Sequence, residues 1–517
     1  MALPATITDD LLSRLVARVP STSGGAWKLT EVYTGDLLVE LPQSTRADVE
    51  SAAAVAREAQ QQWAATPLKE RLAVFGRAHG LIIEHQHVIA DLIQAESGKA
   101  RRMAFEEACD PVMVISHYLR RAPRVLAQKR HAGPVPFLSS STEVHVPRGV
   151  VGIIAPWNFP FATGLSDAVP ALIAGNAVLL KPDNKTALSP LYGIGLLEQA
   201  GLPKGLFQVV CGEGPDVGPA VIDRSDYVMF TGSTATGRVI GERAGRNLID
   251  CCLELGGKNP MIVLDDADLD ETVTGALFAV FANTGQVCMH IERIYVHESR
   301  YAEFRDRFVD GAQQLRLGAS YDFEPELGGL VSPDHMERVR SHVDDAVAKG
   351  ATVLTGGRPR PDLGPTFFEP TVLEGVTKEM THGTLETFGP VVALHSYRTE
   401  DEAVALANDT DYGLNASIWS TDLKRATALA ARIESGNVNI NDGLATAYAS
   451  KGSPSGGVKS SGVGARHGDQ GLLKYTDVKN VAVLKKQVMA PRPGQSYADY
   501  AKQMQASLRW MRRLRLR

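Results

Sequence analysis

Residues 226–245 have the sequence DYVMFTGSTATGRVIGERAG, and this stretch indicates the fold class most directly. A short apolar strand ends at Phe230, a turn with Gly232 and Ser233 follows, and the next residues suit a helix. A glycine turn lets the backbone approach a phosphate, and the free N–H groups of a helix N-terminus favour an anion. Because the spacing from Gly232 to Gly237 differs from the usual dinucleotide fingerprint, a plain structural turn is the alternative interpretation.

Strands and helices alternate on both sides of this stretch. The β-branched runs GVVGIIAP (149–156), AVLLKP (177–182) and LFQVV (206–210) are separated by helical segments. The pattern restarts with PMIVLDDADLD, so a domain boundary is expected close to residues 256–260. This alternation predicts βαβ units, and therefore an α/β fold with a parallel sheet covered on both faces.

Two helical patterns precede these runs. Residues 46–66 are rich in alanine, and a second pattern of apolar residues continues from Lys69 to about Ser97. Apolar residues at helical spacing predict one helix for each pattern.

Two strand-like segments, residues 126–146 and 474–486, fit neither α/β block. They are far apart in the sequence, but they could pair with each other or extend the sheet of a partner chain. Such pairing would make them an oligomerisation element, and two surface hairpins are the alternative.

The composition is that of an ordinary globular protein. The 517 residues are 44% hydrophobic and 22% charged, and this length suggests about three domains. With 54 Lys and Arg against 59 Asp and Glu, the net charge of −5 argues against nucleic acid as a partner. We find no run of about 18 apolar residues and no secretory signal, and the five cysteines include no CxxC pair. A cytoplasmic protein without a disulfide framework or a metal site is therefore expected.

Cys288 is the first of three candidate catalytic residues. It follows a glycine-rich turn in FANTGQVCMH, where partial exposure and nearby helix ends would favour its thiolate form. An inert core cysteine is the alternative, and it is the interpretation for the other four, which are Cys109, Cys211, Cys251 and Cys252.

Glu254 and Asn158 are the other two candidates. Glu254 lies among leucines and glycines in CCLELGGKNP, a setting that either pairs a carboxylate structurally or raises its pKa for general-base work. Asn158 lies between two prolines in APWNFP, where its amide could donate to a developing oxyanion or simply form a turn.

Six strings occur in a fixed order along the chain: PWNFP, FTGSTATG, LELGGKNP, FANTGQVC, ETFGPV and PSGGVKSSGVG. Their order and spacing resemble those of the aldehyde dehydrogenase superfamily, over nearly the whole chain. The further strings YDF, NDTDYGLNAS, ARHG and GLLKYT are similar to those of actinobacterial proteins usually labelled NADP-type succinate-semialdehyde dehydrogenases.

The resemblance implies an aldehyde dehydrogenase fold. Its parts are a Rossmann-like dinucleotide-binding domain, an α/β catalytic domain and a small β oligomerisation element, assembled as a homodimer or homotetramer. The implied boundaries are 1–125 with 148–256 for the NAD(P)-binding domain, 257–457 for the catalytic domain, 126–147 with 470–490 for the oligomerisation strands, and 491–517 for a basic C-terminal tail.

The resemblance also implies a covalent mechanism. In that family the carboxylate of LELGGK and the thiol of GQxC are catalytic, and here they are Glu254 and Cys288. The Cys288 thiolate would attack an aldehyde, and the Asn158 amide with the Cys288 N–H would hold the oxyanion of the thiohemiacetal. Hydride transfer to a nicotinamide cofactor would leave a thioester, which a water activated by Glu254 would hydrolyse to the carboxylic acid.

The cofactor contacts carry over in the same way. The implied contacts are Trp157 and Asn158 beside the nicotinamide, Lys181 at the adenosine ribose, Gly232 and Ser233 at the pyrophosphate, Leu255 at the carboxamide, and Glu386 with Phe388 at the nicotinamide ribose.

Asp183 and Asn184 bear on the choice between NAD and NADP. Three residues after Lys181, members that prefer NAD commonly carry a Glu, whereas this chain has Asn184 with Lys185 beside it. The loss of a carboxylate and the gain of a cation favour a 2′-phosphate, so NADP is expected to be accepted and is moderately favoured. Asp183 and the unknown direction of Lys185 leave the preference open.

The substrate positions disagree with the succinate-semialdehyde label. Characterised enzymes of that activity bind the distal carboxylate with two arginines, at positions that hold Ala282 and Ser166 here. Asp167 lies in a helix where many members carry a basic residue. Because a buried carboxylate without a cation is costly, a neutral aliphatic or aromatic aldehyde is expected, with succinate semialdehyde as the alternative. His290 could contact substrate, but a packing or surface histidine is the safer interpretation.

Three other functions fit part of the pattern. A cofactor-independent thiol esterase would use Cys288, Glu254 and Asn158, but the intact nucleotide positions argue against it. A CoA-acylating enzyme would not need Glu254 for hydrolysis. A non-catalytic protein on this fold would be expected to have lost Cys288 or Glu254.

The C-terminal tail is basic and amphipathic. From Tyr497 onward, apolar residues recur at helical spacing and five arginines occupy the last nine positions, at 509, 512, 513, 515 and 517. Such a helix can lie on an anionic membrane surface, and the alternatives are a helix packed on the protein's own body and a frayed tail.

Overall fold

The computed structural model describes residues 2–513 and residue 515. Its helices are α1 (Asp9–Val16), α2 (Arg46–Ala65), α3 (Leu68–Glu84), α4 (Gln86–Ser97), α5 (Arg101–Val125), α6 (Pro160–Ser166), α7 (Ala168–Ala174), α8 (Leu188–Gln199), α9 (Gly214–Asp223), α10 (Thr234–Arg246), α11 (Leu269–Phe281), α12 (Glu298–Gln314), α13 (Pro333–Ala348), α14 (Thr381–Thr384), α15 (Glu400–Asn408), α16 (Leu423–Ala430), α17 (Ala445–Ala449), α18 (Gly468–Leu473) and α19 (Tyr497–Arg513).

The strands of the described residues are β1 (Ala26–Thr30), β2 (Leu37–Pro42), β3 (Lys129–Ala132), β4 (Ser139–Pro147), β5 (Val150–Ile154), β6 (Ala177–Lys181), β7 (Phe207–Val209), β8 (Tyr227–Thr231), β9 (Asp250–Glu254), β10 (Asn259–Val263), β11 (Ile291–His297), β12 (Thr352–Thr355), β13 (Thr371–Glu374), β14 (Val391–Tyr397), β15 (Tyr412–Gly413), β16 (Asn415–Trp419), β17 (Asn437–Ile440), β18 (Val458–Lys459), β19 (Gly462–Val463) and β20 (Thr476–Leu484). Short 3₁₀ turns occupy Asn184–Thr186 and Ala282–Gly285.

A six-stranded sheet contains the strand quoted at the start. Its order is β19-β9-β8-β5-β6-β7, and its strands are parallel except for the antiparallel pair of β19 with β9. The strands β5 and β6 are VVGII and AVLLK, and nearly all of their residues are buried. Continuous apolar runs of this kind are typical of central parallel strands that are covered on both faces.

A second, seven-stranded sheet begins where the α/β pattern was predicted to restart. Its order is β12-β13-β14-β11-β10-β16-β17, and only β12 is antiparallel to its neighbour. The two sheets confirm the α/β fold class. The exact domain boundaries stay a prediction.

The two segments that fit neither block form a separate three-stranded sheet. β20 pairs antiparallel with the whole length of β4, and β3 completes the sheet on the other side. Most of β20 is exposed, including Val478 and Val483. The segments therefore pair with each other, and their part in oligomerisation stays a prediction.

The helical predictions differ from the structure in one place. The helix predicted for residues 46–66 is α2, but the single helix predicted from Lys69 to Ser97 is divided into α3 and α4 at His85. There the backbone leaves helical geometry, with φ −97° and ψ 11°, and His85 Nδ1 bonds Tyr192 Oη on α8 over 2.7 Å. A packing contact with another helix therefore accompanies a break that the apolar periodicity does not predict.

The tail forms the helix α19, in which no residue is buried. Tyr497, Leu508 and Trp510 each have more than half of their surface exposed, whereas Tyr500, Met504 and Met511 are half-buried. The predicted tail residues Leu514, Leu516 and Arg517 lie outside the described residues. Within the described part of the chain, no helix is both long enough and apolar enough to cross a bilayer.

Candidate active site

The predicted site residues lie together at one edge of the six-stranded sheet. Asn158 follows β5, Gly232 follows β8 and Glu254 ends β9, and these three strands are neighbours in the sheet. Because parallel strands end at the same edge, the loops that follow them meet there. Cys288 reaches this region from the second sheet, in the loop that precedes β11.

A left-handed turn presents Cys288. Asn283 and Gly285 have φ values of 50° and 73°. A Cβ on Gly285 would lie 2.0 Å from the carbonyl oxygen of Gly389, so only glycine fits at this close approach. Asn259 Nδ2 donates to the carbonyl oxygen of Cys288 over 2.8 Å, which fixes the backbone at the thiol.

The Cys288 thiol is protonated at rest. The residue is half-buried and packs with Phe159 and Tyr448 against an apolar cluster. Burial raises the pKa of the thiol to about 12, against the lowering effect of the Arg466 guanidinium. The expected shift towards the thiolate is therefore wrong for this state, because desolvation outweighs the nearby positive charge.

Asn158 is held by polar contacts on both sides. Its Nδ2 donates to the carbonyl oxygen of Gln286 over 2.9 Å, and its own carbonyl oxygen accepts from Lys99 Nζ over 2.7 Å. Lys99 is buried and paired with Glu107, whose Oε1 accepts from Phe161 N over 2.8 Å. The Gln286 contact ties the side-chain amide to the thiol loop and engages one of its two N–H groups, whereas the Lys99 contact holds the Asn158 backbone carbonyl.

Glu254 is a nearly buried carboxylate with weak partners. Cys252 Sγ lies 3.8 Å from Oε1, and Arg466 Nη1 lies 3.6 Å from Oε2. Burial raises the pKa of Glu254 to about 7, although Arg466 and Lys474 lower it. A carboxyl group that titrates near neutrality can take a proton from water, so this setting suits a general base.

Sequence reasoning missed two buried ion pairs beside these residues. Arg466 Nε and Nη2 donate to the two oxygens of Asp167 over 2.9 Å each, and Lys451 Nζ donates to Asp110 Oδ1 over 2.6 Å. The partners are 299 and 341 positions apart, so no local pattern joins them. The one signal in the sequence is Asp167 itself, an acid where similar proteins commonly carry a base.

A cleft of about 840 Å³ opens beside the site, and its volume is within the usual range for cofactor and ligand pockets. Helix α10 begins at its wall, where Ser233 is the N-cap and accepts from Thr236 N, so the helix N-terminus favours a phosphate. A Cβ on Gly232 would lie 2.5 Å from the Phe230 ring, and this turn therefore needs glycine. Six of the predicted cofactor residues line the cleft: Trp157, Lys181, Asp183, Asn184, Gly232 and Ser233.

The other predicted cofactor residues lie next to the same edge. Glu386 Oε1 accepts from Gly257 N over 2.9 Å, and Leu255 follows β9 directly. Phe388 has a φ of 59°, and its ring centroid is 5.4 Å from that of Trp157. The ETFGP loop is thus tied to both the LELGGK segment and the PWNFP turn.

Asn184 and Lys185 differ in what they offer to a ligand. Asn184 Nδ2 donates to Gln43 Oε1 and its Oδ1 accepts from Gly212 N, over 3.0 Å each, so its amide is engaged within the protein. Lys185 lines the cleft with 38% of its side chain exposed, and its Nζ lies 3.8 Å from Asp183 Oδ1. The lysine therefore faces the cleft, with Asp183 as a competing negative charge.

The predicted substrate positions carry no positive charge. Ala282 belongs to the apolar cluster at the thiol, and Ser166 Oγ donates to Asp110 Oδ2 over 2.6 Å. His290 is fully buried, with its Nε2 3.1 Å from Glu292 Oε1, so it is a packing residue and does not reach a substrate.

Comparison with known proteins finds relatives that match nearly the whole chain. The model of the Aldehyde dehydrogenase family matches residues 19–481. A Mycolicibacterium smegmatis protein with the provisional name succinate-semialdehyde dehydrogenase (NADP(+)) is 45% identical over 514 residues, which cover 99% of each chain. A Mycobacterium bovis protein with a provisional name of the same kind is 47% identical over 482 residues, which cover 93% of each chain.

A solved structure has the same fold. The crystal structure of betaine aldehyde dehydrogenase from Staphylococcus aureus, in complex with NAD+, is 32% identical, has a TM-score of 0.88, and aligns with 92% of this chain and 96% of that chain. The aldehyde dehydrogenase fold that the resemblance implied is therefore confirmed. The chain belongs to the aldehyde dehydrogenase family.

Proposed function

We propose that this chain is an NAD(P)-dependent aldehyde dehydrogenase with Cys288 as the nucleophile, Asn158 as an oxyanion donor and Glu254 as the base for hydrolysis. The observation that carries the proposal is the convergence of these residues at one edge of the six-stranded sheet, beside a cleft of about 840 Å³ that predicted cofactor residues line.

The first half of the reaction builds a thioester on Cys288. The thiol gives its proton to solvent water, the thiolate attacks the carbonyl carbon, and a C–S bond forms as the electron pair of the C=O π bond moves to the oxygen to give an oxyanion. One N–H of the Asn158 amide is held by Gln286, which leaves the other to donate to that oxyanion. A nicotinamide cofactor held in the cleft by residues such as Trp157, Gly232 and Ser233 would supply the hydride acceptor for the tetrahedral carbon.

The second half releases the acid. Glu254 takes a proton from a water molecule, and the oxygen of that water attacks the thioester carbon. The C–S bond breaks, the Cys288 thiolate leaves, and the product departs as a carboxylic acid. The pKa of Glu254, raised by burial to about 7, leaves a large fraction of the carboxylate ready for this step at neutral pH.

A neutral aliphatic or aromatic aldehyde is the substrate that the charges favour. The positive groups beside the thiol, Arg466 and Lys451, are each paired with an aspartate, and Glu254 adds a further negative charge. A distal carboxylate that entered this region would lose its hydration without gaining a free cation.

Succinate semialdehyde is the second candidate, because proteins 45% and 47% identical to this chain carry provisional names for its oxidation. For that substrate to be preferred, the pair of Lys451 with Asp110 would have to open and admit the distal carboxylate.

The test offers succinate semialdehyde, hexanal and benzaldehyde with NAD and NADP, and follows the absorbance of the reduced nicotinamide, with Cys288→Ala as the control. We expect a higher kcat/KM for a neutral aldehyde. A value at least about tenfold higher for succinate semialdehyde would overturn the substrate assignment. Equal rates for the wild type and Cys288→Ala would overturn the enzyme assignment. Ester cleavage without cofactor and without aldehyde oxidation would favour the thiol esterase instead.

NADP is expected to be accepted at least as well as NAD, because Lys185 faces the cleft while Asn184 supplies no negative charge. Replacement Lys185→Glu should lower kcat/KM for NADP by about tenfold to a hundredfold, the loss expected for one charged contact, and leave that for NAD nearly unchanged. Equal losses with the two cofactors would argue against a contact between Lys185 and a 2′-phosphate.

A homodimer or homotetramer in the cytoplasm is the proposed assembly, and the exposed edge of β20 supports it. We also propose a peripheral membrane contact through the tail. The proposal rests on three basic residues of helix α19, which are Lys502, Arg509 and Arg513. Co-sedimentation with anionic liposomes should fall on deletion of residues 498–517 and in high salt. Unchanged pelleting would remove the membrane proposal.

A further inference from the structure

Arg466 is a buried cation that joins three parts of the candidate site. Its Nε and Nη2 donate to Asp167 at the start of α7, and Nη2 also donates to Thr231 Oγ1 at the end of β8. The remaining nitrogen, Nη1, lies 3.6 Å from Glu254 Oε2 at the end of β9. Only a planar, forked cation reaches these three partners at once.

The arrangement leaves one end of the guanidinium for Glu254. Asp167 takes up Nε and Nη2 with a two-oxygen contact, and this contact fixes the plane of the group. The contact from Nη1 to Glu254 is longer than a hydrogen bond, so it attracts the carboxylate without locking it. A base that must turn towards a water molecule during the reaction needs a partner of this kind.

We propose that Arg466, oriented by Asp167, is a positioning residue for the hydrolysis step, because its Nη1 attracts the Glu254 carboxylate and directs that side chain without locking it. The inference rests on the proposed function, in which Glu254 is the hydrolytic base. According to this inference, the pair of Arg466 with Asp167 has a role in turnover. The sequence alone had suggested only that a basic residue is missing from the region of α6 and α7.

Several other groups face Glu254, and they do not replace Arg466. Lys474 also lowers the pKa of Glu254, but Arg466 has the larger effect. Asp167 raises that pKa and is the counter-charge of Arg466. Cys252 lies 3.8 Å from Oε1, and burial raises the pKa of its thiol to about 11, so it is neutral at physiological pH. Cys288 is likewise a neutral thiol at rest, because burial raises its pKa to about 12.

The test measures hydrolysis separately from thioester formation, because Arg466 also lowers the pKa of Cys288. Acyl-enzyme is formed in one turnover with excess cofactor and the preferred aldehyde, and its decay is followed by quenched-flow mass spectrometry from pH 5.5 to 9. For the wild type, the decay rate should rise with pH and level off around a midpoint near 7, as the Glu254 carboxyl loses its proton.

Three variants separate charge from packing. Arg466→Gln should move the midpoint upward by about one pH unit, because an opposite charge at this distance no longer favours the carboxylate. Arg466→Lys keeps the charge and should keep the midpoint close to that of the wild type. The double variant Asp167→Asn/Arg466→Gln removes both charges of this buried pair, so neither partner is left unpaired. It tests the same shift if the single variant does not fold. The upward movement of the midpoint should be smaller, because Asp167, which raises the pKa of Glu254, is also gone.

Each outcome decides one point. A fall in the decay rate by the same factor at every pH would mean that Arg466 has only a structural role, and the inference would be overturned. Glu254→Gln checks the proposed function independently. If that variant hydrolyses its acyl-enzyme at the wild-type rate, Glu254 is not the base and the proposed function fails. If its hydrolysis is lost while the Arg466 variants keep the wild-type midpoint, only the inference on Arg466 fails.

Discussion

Cys288 must lose a proton before it can react, and the resting site disfavours that loss. Because burial raises the pKa of the thiol to about 12, only a small fraction is thiolate at neutral pH. We therefore predict that alkylation of Cys288 by iodoacetamide, without cofactor, becomes about tenfold faster for each pH unit between 7 and 9. Mass spectrometry of the modified peptide measures the rate at this cysteine alone. A rate that levels off below pH 8 would contradict the protonated resting state.

Asn158 provides the second prediction at the scale of single residues. Its amide donates one N–H to the carbonyl oxygen of Gln286, and Lys99 holds its backbone carbonyl, so the other N–H is already directed when the oxyanion forms. Loss of one such donor typically costs about 10²–10³ in kcat, and we expect that loss for Asn158→Ala. Ser225→Ala removes a buried hydroxyl that donates to the carbonyl oxygen of Val221 and serves as the matched control. A loss of less than about fivefold in Asn158→Ala would argue against an oxyanion contact.

Single residues also show which parts of the candidate site a sequence pattern can propose and which it cannot. Cys288, Glu254 and Asn158 each lie in a short string whose residues are contiguous, so a family resemblance could locate them. Arg466 could not be found in this way, because its partner Asp167 is 299 positions away and the pair exists only in the folded chain. The state of the thiol was also mispredicted, since it depends on how deeply the folded chain buries Cys288.

At the scale of elements, the two-residue strand β19 has an effect out of proportion to its length. It pairs with the end of β9, so that Gly462 lies opposite Glu254. Gly462 has a φ of 147°, and a Cβ there would lie 2.1 Å from the carbonyl oxygen of Leu253. We predict that Gly462→Ala lowers the free energy of unfolding by about 1–3 kcal/mol, the usual cost of such backbone strain, and reduces turnover because it shifts the strand end that carries Glu254.

Chemical denaturation and steady-state kinetics measure these two effects, and Gly245→Ala is the control. Gly245 lies in α10 with nothing within 4 Å of an added Cβ, so alanine should be neutral or stabilising by about 0.5–1 kcal/mol. Equal stability of the two variants would show that β19 tolerates a side chain at Gly462.

A helix or strand could be predicted from the sequence when the residues that determine it lie close together along the chain. β5 and β6 are continuous apolar runs, and their burial follows directly from that pattern. The division of residues 68–97 into α3 and α4 is accompanied by the contact between His85 and Tyr192, which the apolar spacing does not predict. β19 is too short to show a periodic pattern in the sequence, and it is a strand only because it pairs with β9.

At the scale of the whole molecule, the single chain leaves the outer strands β3 and β20 of the three-stranded sheet largely exposed. Val478, Val481 and Val483 on its edge strand β20 are 64%, 44% and 50% exposed, although valine is usually buried. An uncovered edge strand with apolar side chains favours pairing with another chain, and proteins normally blunt such an edge when it stays free. We therefore predict that the partner is a second copy of this chain, whose own β20 would be equally uncovered.

The final prediction is that β20 holds the oligomer together. Wild-type protein should have a mass in light scattering that is a multiple of 55.6 kDa, and Val481→Lys/Val483→Lys should shift it towards one chain, because like charges on an edge strand oppose strand pairing. Leu423→Lys/Val347→Lys places the same charges on exposed apolar residues of α16 and α13 and should leave the mass unchanged. Far-ultraviolet circular dichroism should show both variants folded. A wild-type mass of a single chain, or an oligomer that survives the β20 substitutions, would refute this role for β20.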